Sequence, residues 1–322
     1  MCGFVGCVHE QKQMNQAQDA ELLKSMNDMI IHRGPDDEGF YMDDYIQLGF
    51  RRLSIIDIEC GHQPLTYEND RYWIIFNGEV YNYLELKETM EKEGKEFSTN
   101  SDTEVILAAF VHYGEKAVEM LRGMFGFVIW DKLEKTVFGA RDPFGIKPFF
   151  YLEDEEKTYF ASEKKSILHA MDKHELDPVS LQHYLTYQYT PEPATMTKNV
   201  KKLMPGHCFT KKIGEPMKIR QYWKAEFKPI LRSEQSWIKE IQDVMYDSVK
   251  MHMRSDVPVG SFLSGGIDST IIASIAKDFH PEIKTFSVGF EHNGFSEIDV
   301  AKETADKLGL ENISYIIKPE EY

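Results

Sequence analysis

The sequence predicts a layered α+β domain followed by an α/β domain with a parallel sheet. Residues 2–210 contain many short apolar strands separated by turns, with a few helices between them. From residue 230 onward, strands and helices alternate, which indicates a parallel sheet with crossover helices. The stretch 189–229 has weak periodicity and several prolines and glycines, so it reads as the edge of the first domain plus a connector. We therefore expect two domains, 2–210 and 230–322.

The elements of the first domain follow from local patterns. Apolar or aromatic runs bounded by polar residues predict strands at 3–8, 46–50, 53–58, 72–76, 124–130, 136–140 and 158–161. Apolar residues at helical spacing predict helices at 20–31, 102–113 and 115–121. The segment HRGPDDEG (32–39) is predicted to be a loop, because its Arg-Gly-Pro sequence is typical of the end of a helix. Many strands with few helices suit layered antiparallel sheets.

The second domain begins with a long helix, predicted from residue 233 to about 254 because its apolar residues fall on one face. Strand, helix, strand, helix and strand follow at 257–263, 267–279, 283–290, 297–308 and 313–317. This order indicates parallel strands joined by helices.

Composition excludes several classes of protein. The 322 residues are 42% hydrophobic, which is enough for a real core, and the net charge of −16 disfavours nucleic acid as a partner. The four cysteines form no CxxC pair, which suits neither a disulfide scaffold nor a zinc site. Without a run of about 18 apolar residues or a basic amino-terminal region, we expect no membrane partner and a cytoplasmic location.

Cys2 offers the first candidate chemistry. We expect Met1 to be removed before this small side chain, which would leave the thiol on the residue that carries the free α-amine. That amine has an ordinary pKa of about 7.7–8.0, so it can accept the thiol proton near neutral pH. An ordinary small residue that opens a strand would explain the same position.

An amide substrate would need partners that the sequence also contains. Asn77 and Gly78 follow a buried strand and can offer a side-chain amide and a backbone N–H to an oxyanion. Arg52 and Asp102 are available for the carboxylate and the ammonium group of a free amino acid. The Asn-Gly pair is also a frequent hairpin turn, and Arg52 and Asp102 can equally be structural.

The segment SGGIDS lies between a predicted strand and a predicted helix. Its glycines allow the backbone to approach a phosphate closely, and the helix N-terminus offers free N–H groups. Its serines add hydroxyl donors, and its aspartate could help to hold Mg²⁺ beside a pyrophosphate. The residues concerned are Ser264, Gly265, Gly266, Asp268 and Ser269. A tight turn capped by serine is the alternative, and neither a P-loop nor a dinucleotide fingerprint occurs.

Six segments of the first domain occur together and in order. They are MCGFVG (1–6), HRGPD (32–36), RRLSIID (51–57), FNGEVYN (76–82), SDTE (101–104) and ARDPFGIKP (140–148). Together they resemble the glutaminase domain of the N-terminal-nucleophile glutamine amidotransferases, over residues 2 to about 210. This resemblance implies an N-terminal-nucleophile hydrolase fold.

The resemblance also implies roles for individual residues. Cys2 would form a γ-glutamyl thioester, and Asn77 and Gly78 would form the oxyanion hole. Arg52 would bind the glutamine carboxylate, and Glu79 and Asp102 would hold the α-amino end. The backbone that lines the pocket would come from Leu53, Ser54, Ile55 and Ile56. The remaining cysteines, Cys7, Cys60 and Cys208, match no role.

The second domain resembles the ATP pyrophosphatases in SDVPVGSFLSGGIDS (255–269) and KTFSVGF (284–290). That resemblance implies an adenine-nucleotide α-hydrolase-like fold, with Phe262, Leu263 and Val288 lining the adenine or ribose region. The two domains in this order resemble the glutamine-hydrolysing asparagine synthetase family, whose members continue further, so we expect the second domain to be incomplete. The resemblance implies glutamine, aspartate and ATP as substrates, β-aspartyl-AMP as the intermediate and Mg²⁺ as the metal. A homodimer is compatible with it.

Other functions stay open from sequence. A related amidotransferase could amidate another carboxylate, such as the diaminopimelate of a cell-wall precursor, or the chain could act as a glutaminase alone. A regulatory module with dead sites is disfavoured because the candidate residues are all present. A lactam-forming relative is disfavoured by the retained Cys2, and a transfer-RNA-modifying pyrophosphatase by the net charge of −16.

Overall fold

The computed structural model describes residues 2–12, 16–291 and 296–321, which divide into two compact units between Glu226 and Phe227. Met1, whose removal we expect, lies outside the described residues. The predicted order of an α+β domain before an α/β domain is confirmed.

The first unit is built on two six-stranded antiparallel sheets. Its strands are β1 (Gly3–His9), β2 (Asp37–Met42), β3 (Ile46–Arg52), β4 (Leu65–Tyr67), β5 (Tyr72–Val80), β6 (Gly123–Asp131), β7 (Thr136–Arg141), β8 (Phe150–Glu153), β9 (Lys157–Ala161), β10 (Lys201–Lys202), β11 (His207–Lys212) and β12 (Lys218–Gln221). One sheet has the order β10-β8-β9-β1-β3-β2, and the other has the order β12-β11-β7-β6-β5-β4.

Five α-helices lie among the described residues of this unit, and four of them cover the outer faces of the sheets. The five are α1 (Gln16–Asp28), α2 (Tyr83–Lys92), α3 (Asp102–Tyr113), α4 (Lys164–Ala170) and α5 (Pro178–Tyr187). Helices α2 and α3 pack on one sheet and α1 and α4 on the other, while a third apolar cluster fills the space between the sheets. The unit therefore has four layers in the order helix, sheet, sheet, helix.

Strand β5 shows how the sequence builds these layers. Ile74 and Phe76 pack toward the helices, whereas Ile75 packs into the space between the sheets, as the two-residue period of a strand requires. An uninterrupted apolar run is therefore what a strand buried on both faces needs.

Most strands of the first unit are confirmed, but the strand predicted at 53–58 is wrong. Strand β3 ends at Arg52, and residues 53–60 form a loop. The Arg52 guanidinium binds the carbonyl groups of residues 56–58, and Asp57 has a φ of 48°, which an extended strand does not allow. The segment 32–39, predicted as a loop, contains the start of β2 at Asp37. The helix predicted at 115–121 is a 3-10 helix over Gly114–Met120.

The second unit contains a parallel sheet with crossover helices, as predicted. Its elements are α6 (Glu234–His252), β13 (Gly260–Phe262), α7 (Ile267–Phe279), β14 (Lys284–Phe290), α8 (Ile298–Leu308) and β15 (Asn312–Ile317). The strands pair in parallel in the order β13-β14-β15. Alternate residues of β14 are buried. The apolar cluster of this unit joins residues of α7 and α8 to Leu263 and Ile283, which flank β13 and β14.

In the described part of the chain, no helix is both long enough and apolar enough to cross a bilayer. All four cysteines are free thiols.

Candidate active site

Cys2 lies directly before β1, and its sulfur contacts the loop that follows β3. The backbone N–H of Leu53 donates to the Sγ atom over 3.3 Å, and the thiol lies 3.4 Å from the Leu53 carbonyl oxygen. The pairing of Gly3 with Arg51 across β1 and β3 brings these segments together. The Cys2 sulfur is thus held against the loop after β3 by the pairing of β1 with β3.

Partial burial raises the pKa of the Cys2 thiol, and the negative charge of Glu79 acts in the same direction. The hydrogen bond with the Leu53 backbone and the positive charge of Arg52 oppose this rise. Since the net shift is upward, the thiol keeps its proton near neutral pH. A base is therefore needed to form the thiolate, which is the role expected for the α-amine.

Arg52 is the last residue of β3 and is 5% exposed. Its Nη1 donates to the Ile58 carbonyl at 3.0 Å, and its Nη2 donates to the carbonyls of Asp57 at 2.6 Å and Ile56 at 3.3 Å. These bonds close the loop onto the arginine, so the guanidinium and the 53–56 backbone form one structural element.

Two further hydrogen bonds fix this loop from outside. The Asp36 carboxylate accepts from the Ser54 N–H at 2.8 Å, and the Asp57 carboxylate accepts from the Asn100 N–H at 2.8 Å. The HRGPD, RRLSIID and SDTE segments are therefore neighbours in space.

Asn77 and Gly78 lie in β5, where β5 pairs with β6. Asn77 is 1% exposed, and its Nδ2 finds no acceptor among the described residues. Buried donors are nearly always paired, so such a donor suits an acceptor brought by a substrate. A Cβ atom at Gly78 would lie 2.2 Å from the Met124 carbonyl oxygen, so only glycine allows this strand pairing.

Asp102 begins α3 and is 5% exposed. Its Oδ2 accepts the Val80 N–H at 3.0 Å, which ties the helix to the end of β5 beside Glu79. Burial raises the pKa of Asp102 to about 7, although hydrogen bonds from the Val80 and Thr103 backbone oppose this. A carboxyl in this state gains from a cationic partner, because the cation favours its charged form.

The structure thus brings Cys2 against Leu53 and within electrostatic reach of Arg52 and Glu79. It also joins Asp102, at the start of α3, by a hydrogen bond to the end of β5, the strand that carries Asn77 and Gly78. Sequence reasoning missed Arg33, whose Nε donates to the Cys2 carbonyl at 2.9 Å and whose Nη1 pairs with Glu163 at 3.0 Å. The HRGPD motif was the available signal, but a motif alone does not show that its arginine contacts the backbone of Cys2.

In the second unit, the serines and glycines of SGGIDS form a tight loop between β13 and α7. Gly265 has a φ of 80°, and a Cβ there would lie 2.7 Å from Val300 Cγ1. The Ser264 Oγ accepts the Gly266 N–H at 3.3 Å, and the Ser269 Oγ accepts the Ser264 N–H at 3.2 Å. Glycine is therefore required at this turn, and the hydroxyl groups shape it.

The apolar residues expected around an adenine or ribose divide into two groups. Phe262 is 80% exposed and Val288 is about half exposed, on the neighbouring strands β13 and β14. The Leu263 side chain is buried in the core of the unit, and its backbone N–H and carbonyl are bonded to Phe286 and Ser287. Leu263 therefore supports the loop and does not present its side chain to a ligand.

Asp268 lies in the first turn of α7. Among the residues that the structure describes, no group of three or more histidine, cysteine, aspartate or glutamate side chains could hold a metal ion. Magnesium beside a nucleotide often takes one or two carboxylates, with phosphate oxygens and waters as its other ligands. One carboxylate at this loop therefore fits magnesium bound together with a nucleotide.

Two stacked antiparallel sheets, with the Cys2 thiol directly before β1, define the class of the first unit. The chain belongs to the glutamine amidotransferase domain family, whose model matches residues 1–223. A second family model, asparagine synthase, matches residues 240–322.

The relatives carry both regions. Asparagine synthetase (glutamine-hydrolyzing) 1 of Bacillus subtilis is 56% identical over 322 residues, which cover 100% of this chain and 51% of that protein. A putative asparagine synthetase (glutamine-hydrolyzing) of Mycobacterium tuberculosis is 41% identical over 344 residues, which cover 100% of this chain and 53% of that protein. The chain thus spans about half the length of these curated relatives.

A solved structure supports the fold. Glutamine phosphoribosylpyrophosphate amidotransferase from Bacillus subtilis matches with a TM-score of 0.50 and 16% identity, over 97% of this chain and 65% of that chain. At this identity the likeness concerns the fold alone.

Proposed function

We propose that this chain hydrolyses glutamine at Cys2 and supplies the ammonia for ATP-dependent conversion of aspartate to asparagine. The observation that carries the proposal is that the first unit contains both a thiol held by the backbone and a buried amide donor without an acceptor. The Cys2 sulfur is 3.3 Å from the Leu53 N atom, and Asn77 Nδ2 finds no acceptor among the described residues. Acyl transfer to a thiol requires both features.

In the first half-reaction, the Cys2 sulfur attacks the amide carbon of glutamine, and its proton passes to the α-amine. The carbonyl oxygen becomes an oxyanion that the Asn77 amide and the Gly78 backbone N–H stabilise. The α-ammonium group then returns this proton to the amide nitrogen. The carbon–nitrogen bond breaks, ammonia leaves, and a thioester remains. Water hydrolyses the thioester to glutamate and restores the thiol.

Charged groups around the thiol would select a free amino acid. Arg52 would bind the substrate carboxylate at the 53–56 backbone, and Glu79 and Asp102 would bind the ammonium group. The raised pKa of Asp102 supports this assignment, because a cationic ligand would relieve a carboxyl buried near Val80.

In the second half-reaction, an oxygen of the aspartate side-chain carboxylate attacks the α-phosphorus of ATP and releases pyrophosphate. Ammonia then attacks the activated carbon and displaces AMP. The Ser264–Ser269 loop would bind the phosphates, with Phe262 and Val288 beside the base or ribose. Asp268 would hold Mg²⁺, which when bound would neutralise charge on the pyrophosphate. ATP as co-substrate and a free catalytic thiol suit the cytoplasm.

Thiol variants test the first half-reaction. Cys2→Ala should abolish glutamate release from glutamine, while Cys60→Ala, at an exposed thiol, should leave the rate within twofold of the parent chain. Glutamate release by Cys2→Ala at the parent rate would refute the assignment of the nucleophile. The acceptor is tested separately, by AMP release with aspartate against other carboxylates, including diaminopimelate.

A further inference from the structure

Gln63 is a buried glutamine to which the proposed function gives no role. It lies two residues before β4 and is 8% exposed. Extending the pairing of Leu65 with Ile74 by two residues places Gln63 opposite to Phe76. Burial of an amide group costs free energy unless the group is hydrogen-bonded, so the partners of this side chain indicate what it does.

The Gln63 carboxamide pairs with the backbone of Phe76 as a neighbouring strand would. Its Oε1 accepts the Phe76 N–H at 2.6 Å, and its Nε2 donates to the Phe76 carbonyl at 3.2 Å. The Gln63 carbonyl faces β2 instead, where a Cβ atom at Gly39 would overlap its oxygen. The side chain therefore takes the place of a backbone pair just before β4, opposite to the residue that precedes Asn77.

The same amide nitrogen also reaches helix α3. Gln63 Nε2 donates to Thr103 Oγ1 at 3.2 Å. Thr103 is 3% exposed and follows Asp102, the first residue of α3. Because a glutamine amide has two hydrogens, one serves Phe76 and the other serves Thr103. The carboxamide thus joins β5 to the start of α3.

A second hydrogen bond joins the same two elements further along β5. The Asp102 Oδ2 accepts the Val80 N–H at 3.0 Å. Asn77 and Gly78 lie between Phe76 and Val80 in the strand. The candidate oxyanion donors therefore occupy a segment of β5 that is attached to α3 at both ends, and Gln63 supplies the attachment at the Asn77 end.

We propose that Gln63 is a positioning residue that fixes the strand carrying Asn77 relative to the helix that begins at Asp102. It acts through Phe76 and Thr103 rather than on the substrate. The inference rests on the proposed function, in which one glutamine molecule needs both the oxyanion donor and the ammonium-binding carboxylate. Loss of the carboxamide would shift one of these groups against the other, and small misplacements of reacting groups lower rates strongly.

Kinetics of glutamine hydrolysis by Gln63→Met test this inference, at a temperature at which circular dichroism shows the chain to be folded. Methionine keeps the length of the side chain and removes its three hydrogen bonds. We expect kcat to fall about tenfold and KM to rise about threefold, because both the oxyanion donor and the ammonium site are displaced. A merely structural role would lower the unfolding temperature and leave both constants of the folded chain unchanged.

Thr103 variants separate the two attachments. Thr103→Val removes the hydroxyl group that accepts from Gln63 Nε2 and leaves the bonds between Gln63 and Phe76. We expect KM to rise about threefold with kcat unchanged, because the start of α3 is released while Asn77 stays in place. Thr103→Ser keeps the hydroxyl group and should restore the KM of the parent chain.

Gln47→Met is the matched control variant. Gln47 is a buried glutamine, 1% exposed, whose Nε2 lies 3.0 Å from His9 Nε2. It is near the start of β3, whereas Arg52 is the last residue of that strand. Its replacement should lower stability and leave kcat and KM as in the parent chain.

Parent values of kcat and KM in folded Gln63→Met would overturn the inference, and so would an equal loss in Gln47→Met. If Gln63→Met does not fold, the Thr103 variants decide. A parent KM in Thr103→Val, or the same raised KM in Thr103→Ser, would then overturn it. Failure of the proposed function has a different signature: Cys2→Ala would keep hydrolysing glutamine, whatever the Gln63 and Thr103 variants do.

Discussion

The backbone N–H of Leu53 donates to the sulfur of Cys2 over 3.3 Å, so the end of β3 meets the start of β1 at the candidate nucleophile. Arg52, one residue earlier, turns its guanidinium into the loop that follows. One short segment therefore contacts the thiol and is closed into a loop by its own arginine.

Removal of the Asn77 amide should affect the chemical step more than substrate binding. We expect Asn77→Ala to lower kcat for glutamine hydrolysis by about 10²–10³, with a small change in KM, because an oxyanion donor acts mainly in the transition state. Steady-state kinetics measure this. Asn27→Ala is the matched control at another buried asparagine, 0% exposed, and it should reduce stability but not kcat. A larger effect on KM than on kcat would contradict the oxyanion role.

A methyl group at Gly78 should disrupt the β5–β6 pairing. The added Cβ would lie 2.2 Å from the Met124 carbonyl, so we expect Gly78→Ala to lower the free energy of unfolding by about 3 kcal/mol and to abolish glutaminase activity. Gly126 faces Asn77 across the same strands, but its nearest neighbour would be 3.5 Å away. Gly126→Ala should therefore keep the fold. Denaturant unfolding compares the two, and equal stability would refute the steric argument.

Asp102 should make stability fall as the pH rises. Its pKa is raised by burial from 3.8 to about 7, so the native state binds this proton more tightly than the unfolded state does. The protonated carboxyl is favoured by folding, and that advantage is lost between about pH 4 and pH 7. We expect Asp102→Asn to remove up to about 1.4 kcal/mol per pH unit of this slope, while glutamine binding weakens.

Asp131→Asn is the control for Asp102. Burial opposes ionisation of Asp131 as well, but hydrogen bonds from Arg71 and the backbone lower its pKa overall. The ionised Asp131 carboxylate therefore stabilises the fold above about pH 4, whereas Asp102 stabilises it only at lower pH. Asp131→Asn should lower the free energy of unfolding above pH 4 and keep the pH slope that Asp102 causes. Unfolding free energies from pH 4.5 to 8 measure both variants. A pH slope in Asp102→Asn equal to that of the parent chain would show that Asp102 is not the group responsible.

Gly265→Ala should impair nucleotide binding alone. The residue combines a φ of 80° with a Cβ position 2.7 Å from Val300 Cγ1, so the substitution would deform the loop. We expect at least tenfold weaker binding of MgATP by calorimetry, with glutamine hydrolysis unchanged. Gly309 has a φ of 64° but open space around it, with Lys277 Nζ at 3.6 Å. Gly309→Ala should bind MgATP as the parent chain does; equal affinity in both variants would argue against this loop as the phosphate site.

Sequence patterns predicted most strands of the first unit better than the path of the chain around the candidate site. The YWIIF run predicted β5 because a strand buried on both faces needs continuous apolar residues. RLSII has a similar composition, yet it leaves the sheet because the Arg52 side chain donates hydrogen bonds to the carbonyls of residues 56–58. These hydrogen bonds depend on tertiary packing, which local periodicity does not encode.

Burial of individual residues was harder to predict. Leu263 and Phe262 are adjacent apolar residues, and the alternation of a strand sends one into the core and exposes the other. Lys147 resembles a surface lysine in sequence, and only the fold of the loop between β7 and β8 buries it. Both outcomes depend on which face of the chain the neighbouring layer covers.

The central claim is that Cys2 carries the glutamyl group during hydrolysis. The chain is incubated with glutamine, quenched in acid within a turnover, and digested, and the amino-terminal peptide is examined by mass spectrometry. The account predicts a glutamyl adduct on Cys2 that disappears with hydroxylamine and is absent in Cys2→Ala, with none on Cys60. Hydrolysis without any adduct on Cys2, or with an adduct on another residue, would contradict it.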